Sequence, residues 1–389
     1  MKKFIVFLAV CLAVATVSGC KNSPKTKALT AQQESAIEAQ LSQMSLREKV
    51  GQLFCVRPES LDPAFQPSEG MMAYQMQAVN EQTKEFCKKY PVGGITLFPH
   101  NIDNPKQLKA FTRDLHALAG EPLLSIDEEG GRLAPIGNNE NFKVPTYSSM
   151  AAVGATGDPG KAYEAGLSIG TYLKEYGFDV DLAPVADVST NPQKSVIKDR
   201  AFSNDPKTAA PMVVKFMEGL RKAGVAACVK HFPGYGDASR DSHEEFFHLV
   251  KAWEELLECE MITFKAAIEA GAPMIMTAHV VLPNLTGDNL PATLSSHILT
   301  FKLRNELGFK GVIITDAMGG HKAFSDRYSS GESTVMNLQA GADIVLMPED
   351  LPEAFEAVMA AVQDGTLTEA RIDESVRRIL ALKLSLKEN

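Results

Sequence analysis

Short apolar runs rich in β-branched residues recur along the chain, at 50–56, 93–98, 122–126, 178–184, 225–229, 273–278, 311–315 and 342–347. They do not alternate apolar with polar positions, so each reads as a strand buried on both faces, as in a parallel sheet covered by helices. Longer stretches with helical periodicity fill most of the gaps, at 105–119, 160–176, 205–223, 252–270 and 352–363. Eight such strand–helix units predict an α/β fold, a (β/α)8 barrel of TIM type in a single catalytic domain, with a doubly wound open sheet as the alternative. The first unit is the least regular, and the Met-rich, Pro-containing stretch 57–90 reads as an insertion near one end of the barrel.

The first residues follow a different pattern. Lys2 and Lys3 precede an apolar run from Phe4 to Val17 that ends in Val17-Ser18-Gly19-Cys20. A basic start, a short apolar stretch and small residues at the cut make a secretory signal, too short for a permanent membrane span. The cysteine after Ser-Gly resembles the lipobox of bacterial lipoproteins, a resemblance that implies lipidation at Cys20. A plain secretory peptide is the alternative. The expected organisation is a signal at 1–19, the lipidated Cys20 and a polar tether over 20–43, helical from about Thr30, and a barrel domain over 44–389. That places the protein in the cell envelope, periplasmic or surface-exposed, held to a membrane only by its lipid. Cys55, Cys87, Cys228 and Cys259 remain, without a compact disulfide framework, and no CxxC pair suggests zinc. Cys55 and Cys228 sit in strand-like runs and read as core thiols.

Composition narrows the functional classes. The 389 residues carry 39 Lys+Arg against 48 Asp+Glu, a net charge of -9, and 45% are hydrophobic. That is a globular chain with no basic stripe for nucleic acid. Length alone would favour two or three domains, but eight strand–helix units use nearly all of it in one.

Barrel chemistry sits on the loops after the strands. Those loops are unusually polar here. The third run leads into Asp127-Glu128-Glu129-Gly130-Gly131-Arg132 and the fourth into Asp187; the fifth ends at Lys230-His231, the sixth at His279 and the seventh at Asp316. An unpaired buried charge costs several kcal/mol, so charges at five of eight strand ends point to one shared polar pocket.

The segment Lys230-His231-Phe232-Pro233-Gly234-Tyr235-Gly236, followed after four residues by Asp241-Ser242-His243, is similar to the signature of β-N-acetylglucosaminidases in glycoside hydrolase family 3. Further motifs occur in the family's order: 44–53 near the mature start, Ile126 to Arg132, Asp199-Arg200-Ala201-Phe202, and 311–316. The resemblance covers nearly all of 44–387. It implies a retaining exo-β-N-acetylglucosaminidase acting on peptidoglycan or chitin-type oligosaccharides, without metal or other cofactor and as a monomer. By motif position it assigns Asp316 as nucleophile, His243 as proton donor and Asp241 as its orienting partner. Asp127, Arg200, Lys230 and His231 become sugar-binding residues, while Asp187 and His279 orient others. Arg132 reads as pairing with a carboxylate. The larger relatives add a sandwich domain that a chain of this length is expected to lack.

The sequence departs from the family at Tyr235, where histidine is common, at Ala317-Met318-Gly319-Gly320-His321 after the nucleophile, and at Pro135, where muropeptide-processing relatives often carry arginine. The alternatives are a β-glucosidase or other exo-β-glycosidase of the same family, or a non-catalytic carbohydrate-binding lipoprotein. A metal-dependent hydrolase using His231, His279 and Asp316 is disfavoured, because no His-x-His follows the first run.

Overall fold

The computed structural model describes residues 29–63, 75–190, 197–236 and 246–388. Its barrel strands are β1 (Phe54–Val56), β2 (Gly94–Leu97), β3 (Leu123–Ile126), β4 (Val180–Asp181), β5 (Ala226–Phe232), β6 (Met274–Thr277), β7 (Val312–Ile314) and β8 (Val345–Leu346), beside a separate two-stranded ribbon of Phe247–His248 and Val280–Val281. All pair in parallel and in chain order. β8 returns to β1 through Phe54↔Val345 and Cys55↔Leu346. A parallel bridge between Ile314 and Ile344 joins β7 to the start of β8 and closes the ring. An open sheet would leave two edges, so the fold is the expected (β/α)8 barrel.

Helix starts are written in the sequence. Asn104, Asp158 and Asp205 each accept backbone N–H bonds as N-caps, and each precedes a proline at the first helical position. Helices Pro159–Glu175 and Pro206–Ala223 then pack backbone against backbone. A Cβ on Gly166 would fall 2.2 Å from the Phe216 carbonyl oxygen, and one on Gly219 would fall 2.4 Å from that of Tyr163.

Four boundaries differ from expectation. Residues 50–53 are not strand: Ser45 and Glu48 form a capping box that starts helix Leu46–Gln52, and only Phe54 onward is extended. Strand β5 does not end at Val229 but continues through Lys230 and His231 to Phe232, with a register shift against β6. The helix expected over 252–270 breaks at Cys259 into Trp253–Glu258 and Glu260–Glu269. Within the stretch expected as tether, Thr30 caps helix Ala31–Gln43, which buries Ile37 and Leu41 and pairs Glu38 with Arg377 of the last helix, Glu369–Lys387, while residues 20–28 lie outside the described residues. This segment is therefore part of the barrel's outer layer. Cys20 lies outside the described residues. Cys55, Cys87 and Cys228 are buried free thiols, and no helix among the described residues is long and apolar enough to cross a membrane.

Candidate active site

The loops after the strands surround a cavity of about 690 Å3 whose lining includes Asp127, Arg200, Lys230, His231 and Asp316. Five of the residues expected at the site thus converge on one space. Asp241 and His243, the expected proton-donating pair, lie outside the described residues.

Beyond β3 the three consecutive acids meet different surroundings. Asp127 keeps about a third of its side chain exposed and pairs with the Lys230 ammonium. Glu129 is buried: Lys230 Nζ lies 2.6 Å from one oxygen, and Arg200 donates through Nε at 2.8 Å and Nη2 at 2.7 Å. Burial alone would raise the Glu129 carboxyl, but Lys230 and Arg200 outweigh it and hold the group far below the usual carboxylate range. Lys230 is likewise penalised by burial, and Asp127 and Glu129 more than offset that, keeping it charged. Two carboxylates and two cations balance, which is the condition under which such burial is tolerated. Arg200 comes from a turn in which its N–H and that of Ala201 donate to the Ile197 carbonyl.

His231 is locked from behind. Asp187 Oδ2 lies 2.7 Å from His231 Nδ1 and accepts the His231 backbone N–H at 3.1 Å, while Asp187 Oδ1 accepts from the Tyr235 amide at 2.6 Å. The Arg200 guanidinium stands 3.5 Å from Nε2. With a carboxylate on Nδ1 and a pure donor facing Nε2, the proton belongs on Nδ1 and Nε2 is the accepting atom.

Asp316 follows β7 by two residues and accepts the Ala317 N–H at 2.8 Å. Protein encloses it except where it meets the cavity. Burial pushes its carboxyl up, but the charge of His231, His279 and His321 in their protonated forms and the Ala317 amide bring it below the ordinary value. His279 braces this loop: its Nε2 sits 2.9 Å from the Ala317 carbonyl oxygen and its Nδ1 2.9 Å from Thr293 Oγ1. Desolvation pushes His279 down to about 4, and it is neutral at pH 7. Nε2 therefore donates to the carbonyl. Among the described residues no group of His, Cys, Asp and Glu is arranged to hold a metal ion.

Asp187 and His279 orient their neighbours, as the sequence suggested, and Arg132 pairs with Asp199 at 2.8 Å while also lining the cavity. Sequence reasoning missed Glu129 as the shared partner of both cations, although its two-residue spacing from Asp127 places both on one side of an extended segment. It also missed His321, which is buried, lines the cavity and packs edge-on against His279 at 4.9 Å between centroids. No local motif marks that histidine.

Residues 45–382 match the family described as "Glycosyl hydrolase family 3 N terminal domain". The chain is 32% identical over 344 residues to a beta-hexosaminidase A of Pseudoalteromonas piscicida, across 81% of this chain and 57% of that protein. It is 35% identical over 300 residues to a beta-hexosaminidase of Alkalilimnicola ehrlichii, across 76% of this chain and 84% of that one. The solved structure of a family 3 beta-N-acetylglucosaminidase from Paenibacillus sp. str. FPU-7 superposes with a TM-score of 0.79 at 36% identity, covering 88% of this chain and 63% of that one. The chain therefore spans less than two thirds of the Pseudoalteromonas and Paenibacillus proteins.

Proposed function

The chain belongs to glycosyl hydrolase family 3, and we propose from this that it is a retaining exo-β-N-acetylglucosaminidase that removes terminal N-acetylglucosamine from peptidoglycan or chitin-type oligosaccharides. In this reading Asp316 attacks the anomeric carbon. The bond to the glycosidic oxygen breaks, its electron pair stays on that oxygen, and His243 supplies the proton. Water, deprotonated by His243, then cleaves the glycosyl ester and restores Asp316. Asp241 orients His243. Asp127, Arg200, Lys230 and His231 bind the hydroxyls and acetamido carbonyl of the sugar. The observation that carries the reading is an Asp316 carboxyl on the wall of a cavity that also presents Asp127, Arg200 and Lys230. The names of the relatives support the choice of sugar.

A paired assay tests the sugar. Turnover of p-nitrophenyl N-acetylglucosaminide should exceed that of the glucoside by at least about 100-fold, because unpaired polar groups in the pocket penalise the analogue that lacks the acetamide. Equal rates would return the protein to the β-glucosidase alternative. The anchor at Cys20 and the envelope location belong to the same proposal, with a monomeric barrel held to a membrane by its lipid. Assayed in fractionated cells, the activity should sediment with membranes for the native chain and become soluble for Cys20→Ser; activity that stays with the membrane in that variant removes the anchor.

A further inference from the structure

Glu128 stands between two residues of the site yet faces away from it. It is completely buried, and no Lys or Arg among the described residues pairs with it. Its carboxylate takes three hydrogen bonds: the Ile136 N–H donates to Oε2 at 2.9 Å, and the Gly137 N–H and Tyr172 hydroxyl each donate to Oε1 at 2.8 Å. Gly137 leaves the room this requires, since a Cβ there would fall 3.0 Å from Oε1. The Glu128 backbone N–H is itself fixed on Asp181 Oδ1 of β4 at 3.1 Å. An unpaired buried carboxyl is costly, and a well-packed apolar side chain of similar size would serve stability better.

What it fastens is one wall of the cavity. The loop over 131–139 contributes Arg132, Leu133, Ala134, Pro135, Asn138 and Asn139 to the lining. It follows β3, and β3 lies four strands from β7 in either direction around the ring. The loop therefore faces Asp316 across the barrel. On its outer side Asn139 Nδ2 donates to the Ile102 carbonyl at 3.1 Å and Arg132 pairs with Asp199 at 2.8 Å, while Glu128 ties the loop to the strand end beneath.

We infer that Glu128 is a positioning residue, a buried carboxylate clamp that holds the 131–139 loop at the distance from Asp316 that the bound sugar requires. Glutamine at 128 keeps the size but has one acceptor oxygen, so one loop amide meets an NH2 donor instead.

The test uses the whole protein with Glu128→Gln and, as a milder second variant, Gly137→Ala. Burial pushes the Glu128 carboxyl up to about 7, so the comparison is made at about pH 8.5, where it is ionised. Without substrate, amide exchange over 131–142 should accelerate about tenfold or more in Glu128→Gln, the loss expected for one hydrogen bond to a charged acceptor, while the barrel strands stay protected. Gly137→Ala should move the same segment less. The kinetic half rests on the glycosidase reading: with p-nitrophenyl N-acetylglucosaminide, KM should rise about tenfold with kcat within about threefold, the mark of lost binding geometry. Unchanged exchange in this segment overturns the clamp, as does acceleration spread evenly through the barrel. Faster exchange with an unchanged KM overturns its link to the cavity. If the native protein does not turn over the glycoside, the functional reading fails, and the exchange result still decides the clamp.

Discussion

Asp127, Glu128 and Glu129 are adjacent in the chain and do three different things. Asp127 reaches the cavity, Glu128 fastens a loop, and Glu129 neutralises Lys230 and Arg200. The roles alternate because an extended backbone sends successive side chains to opposite sides. Replacing Glu129 by glutamine takes away the carboxylate that Arg200 pairs with and one of the two that Lys230 pairs with. We expect a loss of about 3–5 kcal/mol in urea unfolding at pH 7, and a loss under about 1 kcal/mol would contradict the network. The pH dependence has a definite sign. A carboxyl held below its ordinary value contributes stability that is present above the unfolded value near 4.5 and lost as pH falls, so the gap between native and Glu129→Gln should narrow in acid. Asp127, Lys230, His231 and Asp316 could be read from the chain because each lies at or next to the end of an apolar run, and Arg200 because it belongs to a motif of the family. Glu129 and Glu128 could not be told apart, since sequence states adjacency but not which neighbour supplies the partner.

Elements were legible where one physical signal dominated. Strands buried on both faces and helices opened by Asn-Pro or Asp-Pro fell where expected, because caps and continuous apolar runs are local. Boundaries failed where two signals overlapped. Residues 50–56 are apolar apart from Gln52, yet the capping box of Ser45 and Glu48 claims the first part for a helix. Lys230 and His231 look like the end of a strand, but their side chains are satisfied by Asp127, Glu129 and Asp187, so the strand carries them. Helix Ala31–Gln43 is polar enough to pass for a tether, and only its contacts with the last helix make it part of the domain. The glycine seam between Pro159–Glu175 and Pro206–Ala223 was equally silent in sequence. In Gly219→Ala the new Cβ would lie 2.4 Å from the Tyr163 carbonyl oxygen and 2.5 Å from the Leu167 nitrogen, so the helices must part. We expect a cost of about 1–3 kcal/mol in thermal or urea unfolding, and an unchanged midpoint would mean the seam yields freely.

At the scale of the molecule, closure of the ring unites these residues. Asp127 and Asp316 are nearly two hundred positions apart in sequence and follow strands on opposite sides of the barrel, so the two faces of the cavity exist only once β8 has paired with β1. The net charge of -9 is spread over the chain, while the cations that matter, Arg200 and Lys230, are concentrated beside the cavity. The central claim is that Asp316 forms a covalent bond to the sugar. Incubation with a slowly hydrolysed fluorinated N-acetylglucosaminide bearing an activated leaving group, followed by mass spectrometry of the intact protein and its peptides, tests it directly. The account predicts a mass gain of one glycosyl unit, located on the peptide carrying Asp316 and missing in Asp316→Ala; an adduct on Asp127 or another side chain, or persistence of the adduct in that variant, would contradict it.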